Sequence, residues 1–253
     1  MERFINVFRY FFWFILLFSS WYVFAEPYQV TESVKGVDIF KEDGLSPLPI
    51  ITRAKKGDYL NSNHFLSTGP NSFCEIKKDL ITIRLGSNVL SKWIGPRSWE
   101  IFEGSILICK DDEDNFQLSS KAGFATITGK CSFIAEVTSN GGFKFICLSG
   151  KPTITSGSSK SKIPAGRLVL VLGETDALGN AYDIDLLLLL KSSLLINAFE
   201  EPLPTMSKIG LAVYSQQLKI KGKYNALIGD ATSDKNLQMW VLGKKGSDTK
   251  PSK

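Results

Sequence analysis

From Val30 to Leu172 the chain runs in short apolar and β-branched stretches, broken at roughly ten-residue intervals by Gly, Pro, Asn and Asp. Phe73, Glu75 and Lys77 alternate with Cys74, Ile76 and Lys78, the period of a strand with one face buried. Leu80, Thr82 and Arg84 alternate in the same way with Ile81, Ile83 and Leu85. Runs at 99–101, 105–109 and 125–128 carry the pattern on. Many short strands with regular turns restrict the fold to a mainly β architecture, a sandwich or jelly-roll-like domain over residues 30–173. With 43% apolar residues the chain can fill a core, which excludes a disordered protein.

The clearest hairpin joins residues 131–137 to 143–148 through Ser139-Asn140-Gly141-Gly142. Asn-Gly supplies the positive φ values of a tight turn. With Asn140 and Gly141 at its centre, Val137 pairs with Lys144, Ala135 with Ile146, Ile134 with Cys147, and Cys131 with Gly150. Cys131 and Cys147 then point to opposite sides of the sheet, which disfavours a disulfide between them. Cys74 and Cys109 also lie in apolar, strand-like runs, and none of the four cysteines has the paired spacing of a zinc site. Buried thiols and one or two disulfides are both compatible with the sequence.

The N-terminus carries an address. Arg3 and Arg9 precede an apolar, aromatic run at residues 10–24, which ends in Val23-Phe24-Ala25 before Glu26-Pro27. A basic start, an apolar middle and a small residue at the cut describe a secretory signal peptide over residues 1–25. The run is shorter than the ~20 apolar residues of a usual membrane span, although an uncleaved inner-membrane anchor facing outward is the alternative. Either reading places the rest of the chain outside the inner membrane, periplasmic or secreted. Removing Arg3, Arg9 and Glu2 takes the net charge from +5 to +4, too mild to suggest nucleic acid as a partner.

After Gly173 the texture changes, and residues 174–243 read as a mixed extension with one or two helices. One is expected over 183–199, opened by Asp183 and Asp185 and stopped by Pro202 and Pro204. A second is expected over 205–219, with Ile209, Ala212, Val213 and Gln216 along one stripe. Residues 156–162 form a polar, flexible loop, and 244–253 a charged, disordered tail.

Several short segments, taken in order, resemble the FecR-like domain family. They are Gly57-Asp58-Tyr59-Leu60, Thr68-Gly69-Pro70-Asn71-Ser72, Ile83-Arg84-Leu85-Gly86-Ser87-Asn88 and Glu103-Gly104-Ser105-Ile106, then residues 129–137, Leu148-Ser149-Gly150-Lys151 and Pro164-Ala165-Gly166. The resemblance spans about half the chain, from Val34 to Leu172; Gly129-Lys130 departs from it, where the family has Gly-Thr. It implies a β-domain on the outer side of the bacterial inner membrane that mediates binding or assembly. Only residues 1–9 precede the apolar run, so the cytosolic sigma-regulating arm of such proteins is expected to be missing.

Catalysis has little to build on. The single histidine, His64, sits in the polar turn Asn61-Ser62-Asn63-His64 and reads as a turn residue. Asp111-Asp112-Glu113-Asp114-Asn115 offers hard oxygen ligands but lacks the glycine and distal glutamate of a calcium loop, so a solvated hairpin tip is the expectation. Asp176, Gly179, Asn180, Asp183 and Asp185 read as a turn and a helix cap. No glycine-rich loop follows a strand and opens a helix, so no nucleotide cofactor is expected. Lys219, Lys221 and Lys223 near Tyr224 could touch an anionic lipid or polysaccharide, or simply be an exposed element end. Five leucines from Leu186 through Leu190 exceed one amphipathic stripe and call for cover on more than one side, by the β-domain or by another subunit. The expected function is a non-enzymatic envelope module without catalytic, cofactor or metal residues, whose partner is an envelope protein or surface polymer. The alternative is a carbohydrate-binding sandwich with Trp93 and Trp99 as its stacking platform.

Overall fold

The computed structural model describes residues 27–42, 48–172 and 177–219, and the backbone of two further strands at 224–228 and 238–242. The expected signal peptide, Asp176, Lys221, Lys223 and the tail at 244–253 lie outside the described residues. Among those described, no helix is long and apolar enough to cross a membrane.

Two sheets form a sandwich. In chain order, sheet A holds β1 (Tyr28–Val34), β4 (Tyr59–Leu60), β6 (Phe73–Lys78), β7 (Ile81–Leu85), β10 (Ser105–Lys110), β13 (Cys131–Val137), β14 (Phe143–Gly150), β17 (Arg167–Leu172), β18 (Ala177–Leu178) and β19 (Tyr182–Asp183). Sheet B holds β2 (Val37–Lys41), β3 (Ile50–Arg53), β5 (Phe65–Thr68), β8 (Leu90–Gly95), β9 (Ser98–Glu103), β11 (Phe116–Ser120), β12 (Phe124–Thr128), β15 (Thr153–Ser156) and β16 (Ser159–Lys162). A separate hairpin joins β20 (Tyr224–Ile228) to β21 (Gln238–Leu242). Hairpins tend to stay in one sheet and the connections between them cross to the other: β6–β7 belongs to A, β8–β9 to B, β13–β14 to A and β15–β16 to B. Nearly all pairs are antiparallel; β9 and β11 run parallel because β10 intervenes in the opposite sheet. The segment expected to be a flexible loop, 156–162, is mostly the hairpin of β15 and β16, turning at Gly157.

The inner faces enclose one apolar core. Tyr28 lies edge-on to both Trp93 and Trp99, with ring centroids 5.3 and 5.5 Å apart, and all three side chains are buried. Phe133 stacks on Phe145 at 4.6 Å.

A third layer covers the outer face of sheet A. It consists of α1 (Leu186–Ser192), α2 (Leu194–Asn197) and α3 (Met206–Lys219). The single helix expected over 183–199 is two, because Ser193 leaves the helical conformation (φ −77°, ψ 118°) and serves as the C-cap of α1 and the N-cap of α2. Leu186, Leu195, Ile196, Leu203 and Ile209 pack on Leu107, Cys109, Ile134, Ile146, Leu148, Leu168 and Leu170. Sheet A is thus covered on both faces, and its strands lose the half-buried character that alternation suggests. All five residues of β7 and the first four of β6 are buried.

That cover encloses charge. Glu75 and Arg84 are cross-strand partners on the outer face of the β6–β7 hairpin, and both are buried. Arg84 Nε donates to Glu75 Oε2 at 2.8 Å. Its two terminal nitrogens donate to carbonyls of the helical layer: Nη1 to Leu195 (3.4 Å) and Ile196 (3.2 Å), Nη2 to Glu201. The guanidinium also lies 4.2 Å from the centroid of the Phe199 ring. The carbonyls at the end of α2, which no later helical turn can pair, thereby receive a cation. Thr31 and Lys77 complete the shell of Glu75, at 2.7 and 2.8 Å.

Burial pushes the Glu75 carboxyl up, but hydrogen bonds from Lys77, Thr31 and Arg84 more than offset it and hold the group below the usual carboxylate range. A carboxyl depressed in the folded state adds stability above its unfolded pKa and loses it as pH falls through the folded value. Glu75→Gln should therefore cost about 3 kcal/mol or more at neutral pH, the toll of stranding a buried partner. Urea unfolding at neutral and acid pH checks this: the gap between wild type and variant should narrow as the solution becomes acid.

Candidate functional site

His64 stands in the turn before β5, where its Nδ1 accepts from the Asn61 backbone N–H at 3.2 Å. Burial, with Lys41 nearby, lowers its pKa from the ordinary histidine value. No nucleophile or carboxylate is hydrogen-bonded to it among the described residues.

The acidic run is neither a calcium loop nor a free hairpin tip. It is the crossover from β10 in sheet A to β11 in sheet B, and the protein's own cations occupy it. Buried Lys110 donates to the Asp112 backbone carbonyl (2.7 Å) and the Gly129 carbonyl (3.1 Å) and pairs with Asp112 Oδ1 (2.9 Å). Arg97 reaches Asp112 and Asp114, both at 2.9 Å, and Lys208 of α3 reaches Asp111 at 2.6 Å. Partial burial raises the Asp112 carboxyl, but hydrogen bonds from Lys110 and Arg97 more than offset this and leave it depressed. Among the described residues no group of three or more His, Cys, Asp or Glu is placed to hold a metal.

The second polar run divides by role. Asp185 caps α1 by accepting from the Leu188 N–H at 3.0 Å, Asp183 lies 3.1 Å from Arg167 Nε, and the Gly179 N–H donates to Leu170. Trp93 and Trp99 are 1% and 0% exposed, so the stacking platform expected of a carbohydrate binder is absent at those positions.

The β13–β14 hairpin departs from its expected register. Its loop holds five residues, with the Gly141 N–H bonded to the Thr138 carbonyl and positive φ at Gly141 but not at Asn140. Val137 therefore pairs with Phe143, Ala135 with Phe145 and Ile134 with Ile146, one residue off the expectation. A bulge between Ser132 and Phe133 restores the pairing of Cys131 with Gly150 and sets Phe133 opposite Cys147. Cys131 and Cys147 thus share the inner core, contrary to the sequence reading, but stand two residues out of step. Diagonal partners of that kind lie about 7–8 Å apart, beyond ordinary disulfide reach.

All four cysteines are buried free thiols. Burial pushes the Cys131 thiol up to about 12 and raises those of Cys74, Cys109 and Cys147 as well. On the outer face Cys109 accepts from Thr205 Oγ1, which also meets Ser132, so this thiol seats the start of α3. Iodoacetamide should leave the folded protein unlabelled and add to four thiols after unfolding without reductant, as read by intact mass.

The five leucines do not share one environment. Leu186 is fully buried, Leu189 and Leu190 lean on the helical core, and Leu188 is 53% exposed. On α3 the expected stripe faces inward, with Ile209 and Gln216 buried and Ala212 and Val213 packed beside them. The opposite side carries Leu211, Tyr214 and Leu218, which are 68%, 64% and 62% exposed. Their spacing aligns them on one face of the helix. Lys219 closes the same helix, exposed.

No family model matches the chain, and no curated protein matches it. Two similar crystal structures are of proteins from Parabacteroides distasonis ATCC 8503, provisionally described as anti-sigma factors. One is 9% identical, covers 72% of this chain and 99% of its own, and has a TM-score of 0.40. The other is 11% identical, covers 47% of this chain and has a TM-score of 0.38; the match spans 59% of that protein's length.

Proposed function

We propose that the chain is an exported, non-enzymatic module of the bacterial cell envelope, FecR-like in its β-domain, which binds a protein partner through the outer face of α3. The leader-like residues 1–25 support export. The family-like segments support the domain assignment: they fall largely where the chain turns or changes sheet, as at Thr68-Gly69-Pro70-Asn71-Ser72 between β5 and β6 and at Gly104 between β9 and β10.

The exposed row of Leu211, Tyr214 and Leu218 carries the binding reading. Single exposed leucines need no explanation, but three large side chains on one helical face match the anchors of a helix seated in an apolar groove. A protein groove suits this row better than a glycan does. Its side chains are mostly aliphatic, and the two core tryptophans are out of reach.

A photo-crosslinking residue at position 214 in intact cells should yield one discrete heavier adduct. Leu211→Glu with Leu218→Glu should abolish it while leaving the thermal midpoint unchanged, since both side chains face solvent. N-terminal sequencing of the same material should show a chain beginning at Glu26 or a membrane-bound chain retaining Met1. A cytosolic chain, or an adduct indifferent to the double variant, would sink the proposal.

A further inference from the structure

Along the flank of α3, between the helix and the loops that follow β14 and precede β17, a groove of about 560 Å³ opens. Its walls are small: Gly150, Ala165 and Gly166 on the sheet side, Ala212 on the helix. Gly166 has φ +85°, and a Cβ there would stand 2.6 Å from the Gln216 side chain, so glycine lets the helix seat this closely. Gln216 in turn is fixed at both ends of its amide. Nε2 donates to the Ile184 carbonyl at 2.6 Å, and Oε1 accepts from the Leu186 N–H at 3.0 Å. The groove is therefore built into the frame rather than a gap between mobile parts.

Its charge is one-sided. Lys151, Arg167 and Lys219 line it against one carboxylate, Asp183. Arg167 Nε lies 3.1 Å from Asp183 Oδ1 but is too poorly aligned to hydrogen-bond it, and Nη2 donates to the Ala181 carbonyl. Lys151 and Lys219 form no ion pair with a described residue. Two cationic charges thus remain in excess, more than the partial negative charge at the end of α3 can balance. A groove of this volume takes a small molecule, and its apolar Pro164, Ala165 and Ala212 favour an organic body over a bare ion.

We infer that this groove binds a small organic carboxylate, held by Arg167, Lys151 and Lys219 with its carbon body against Ala165 and Ala212. The groove runs along the flank of α3 beside the outer row, since Ser215 and Lys219 follow Leu211 at four-residue steps. Asp183 competes with the ligand for Arg167, so its removal should strengthen binding.

The test is an amide NMR titration of the full chain at low ionic strength, with succinate and, separately, inorganic phosphate. Succinate should shift Lys151, Gly166, Arg167 and Ser215, and high salt should reverse the shifts. Lys151→Ala with Lys219→Ala should weaken succinate roughly tenfold or more, as expected for two lost charge-assisted contacts. Asp183→Asn should tighten it several-fold, which a merely structural role for these residues would not produce. Silence with succinate, binding of phosphate alone, or shifts indifferent to both variants would overturn the inference.

Discussion

A buried guanidinium joins the layers of this protein. Arg84 has no exposed surface, and its partners come from two directions: the Glu75 carboxylate within sheet A, and the carbonyls of Leu195, Ile196 and Glu201 above it. A charge taken out of water is costly unless its hydrogen bonds are remade. Here they are remade only when α2 and the residues after it lie flat on the β6–β7 hairpin. The helical layer is therefore required by the sheet's own chemistry, and Leu186, Leu195, Ile196 and Ile209 then bury the surrounding apolar surface.

This dependence separates what the sequence made legible from what it hid. Alternation in 73–78 and 80–85 located β6 and β7 correctly, because period two is a property of the backbone. It also separated Glu75 from Cys74 and Ile76, and Thr82 and Arg84 from Ile81 and Ile83, but alternation alone expects one buried face, whereas both are buried. One signal was available: a tight turn at Asp79-Leu80 sets Glu75 opposite Arg84, and opposite charges at one cross-strand position are a candidate pair. Nothing local reveals that carbonyls more than a hundred residues later complete the shell. The β13–β14 register failed for a different reason. Asn140-Gly141 does mark the turn, yet whether its loop holds two residues or five is decided by Thr138 and Gly142 closing around it.

The acidic run at 111–114 shows the same limit from the opposite side. Four acidic residues in a row look solvated when only neighbours are counted. In the fold they sit where the chain leaves sheet A for sheet B, and the cations that meet them come from β10, from the β8–β9 turn and from α3. Lys110 bridges the crossover to Gly129, so this loop ties the sheets together. Asp111, Asp112 and Asp114 are committed to structure, which is why ligand chemistry has to be sought elsewhere.

The longest uncommitted apolar row on a single helix lies on α3. Its inner face is pinned three times: Thr205 and Cys109 at the start, Ile209 in the helical core, and Gln216 against Ile184 and Leu186 near the end. A helix held that firmly gains nothing for the fold from Leu211, Tyr214 and Leu218 on its outer side, where polar residues would serve solubility better. Nothing among the described residues covers those side chains. The rigidity of the inner face also means that the proposed docking row is already ordered, so binding there would carry no entropic cost of folding a segment.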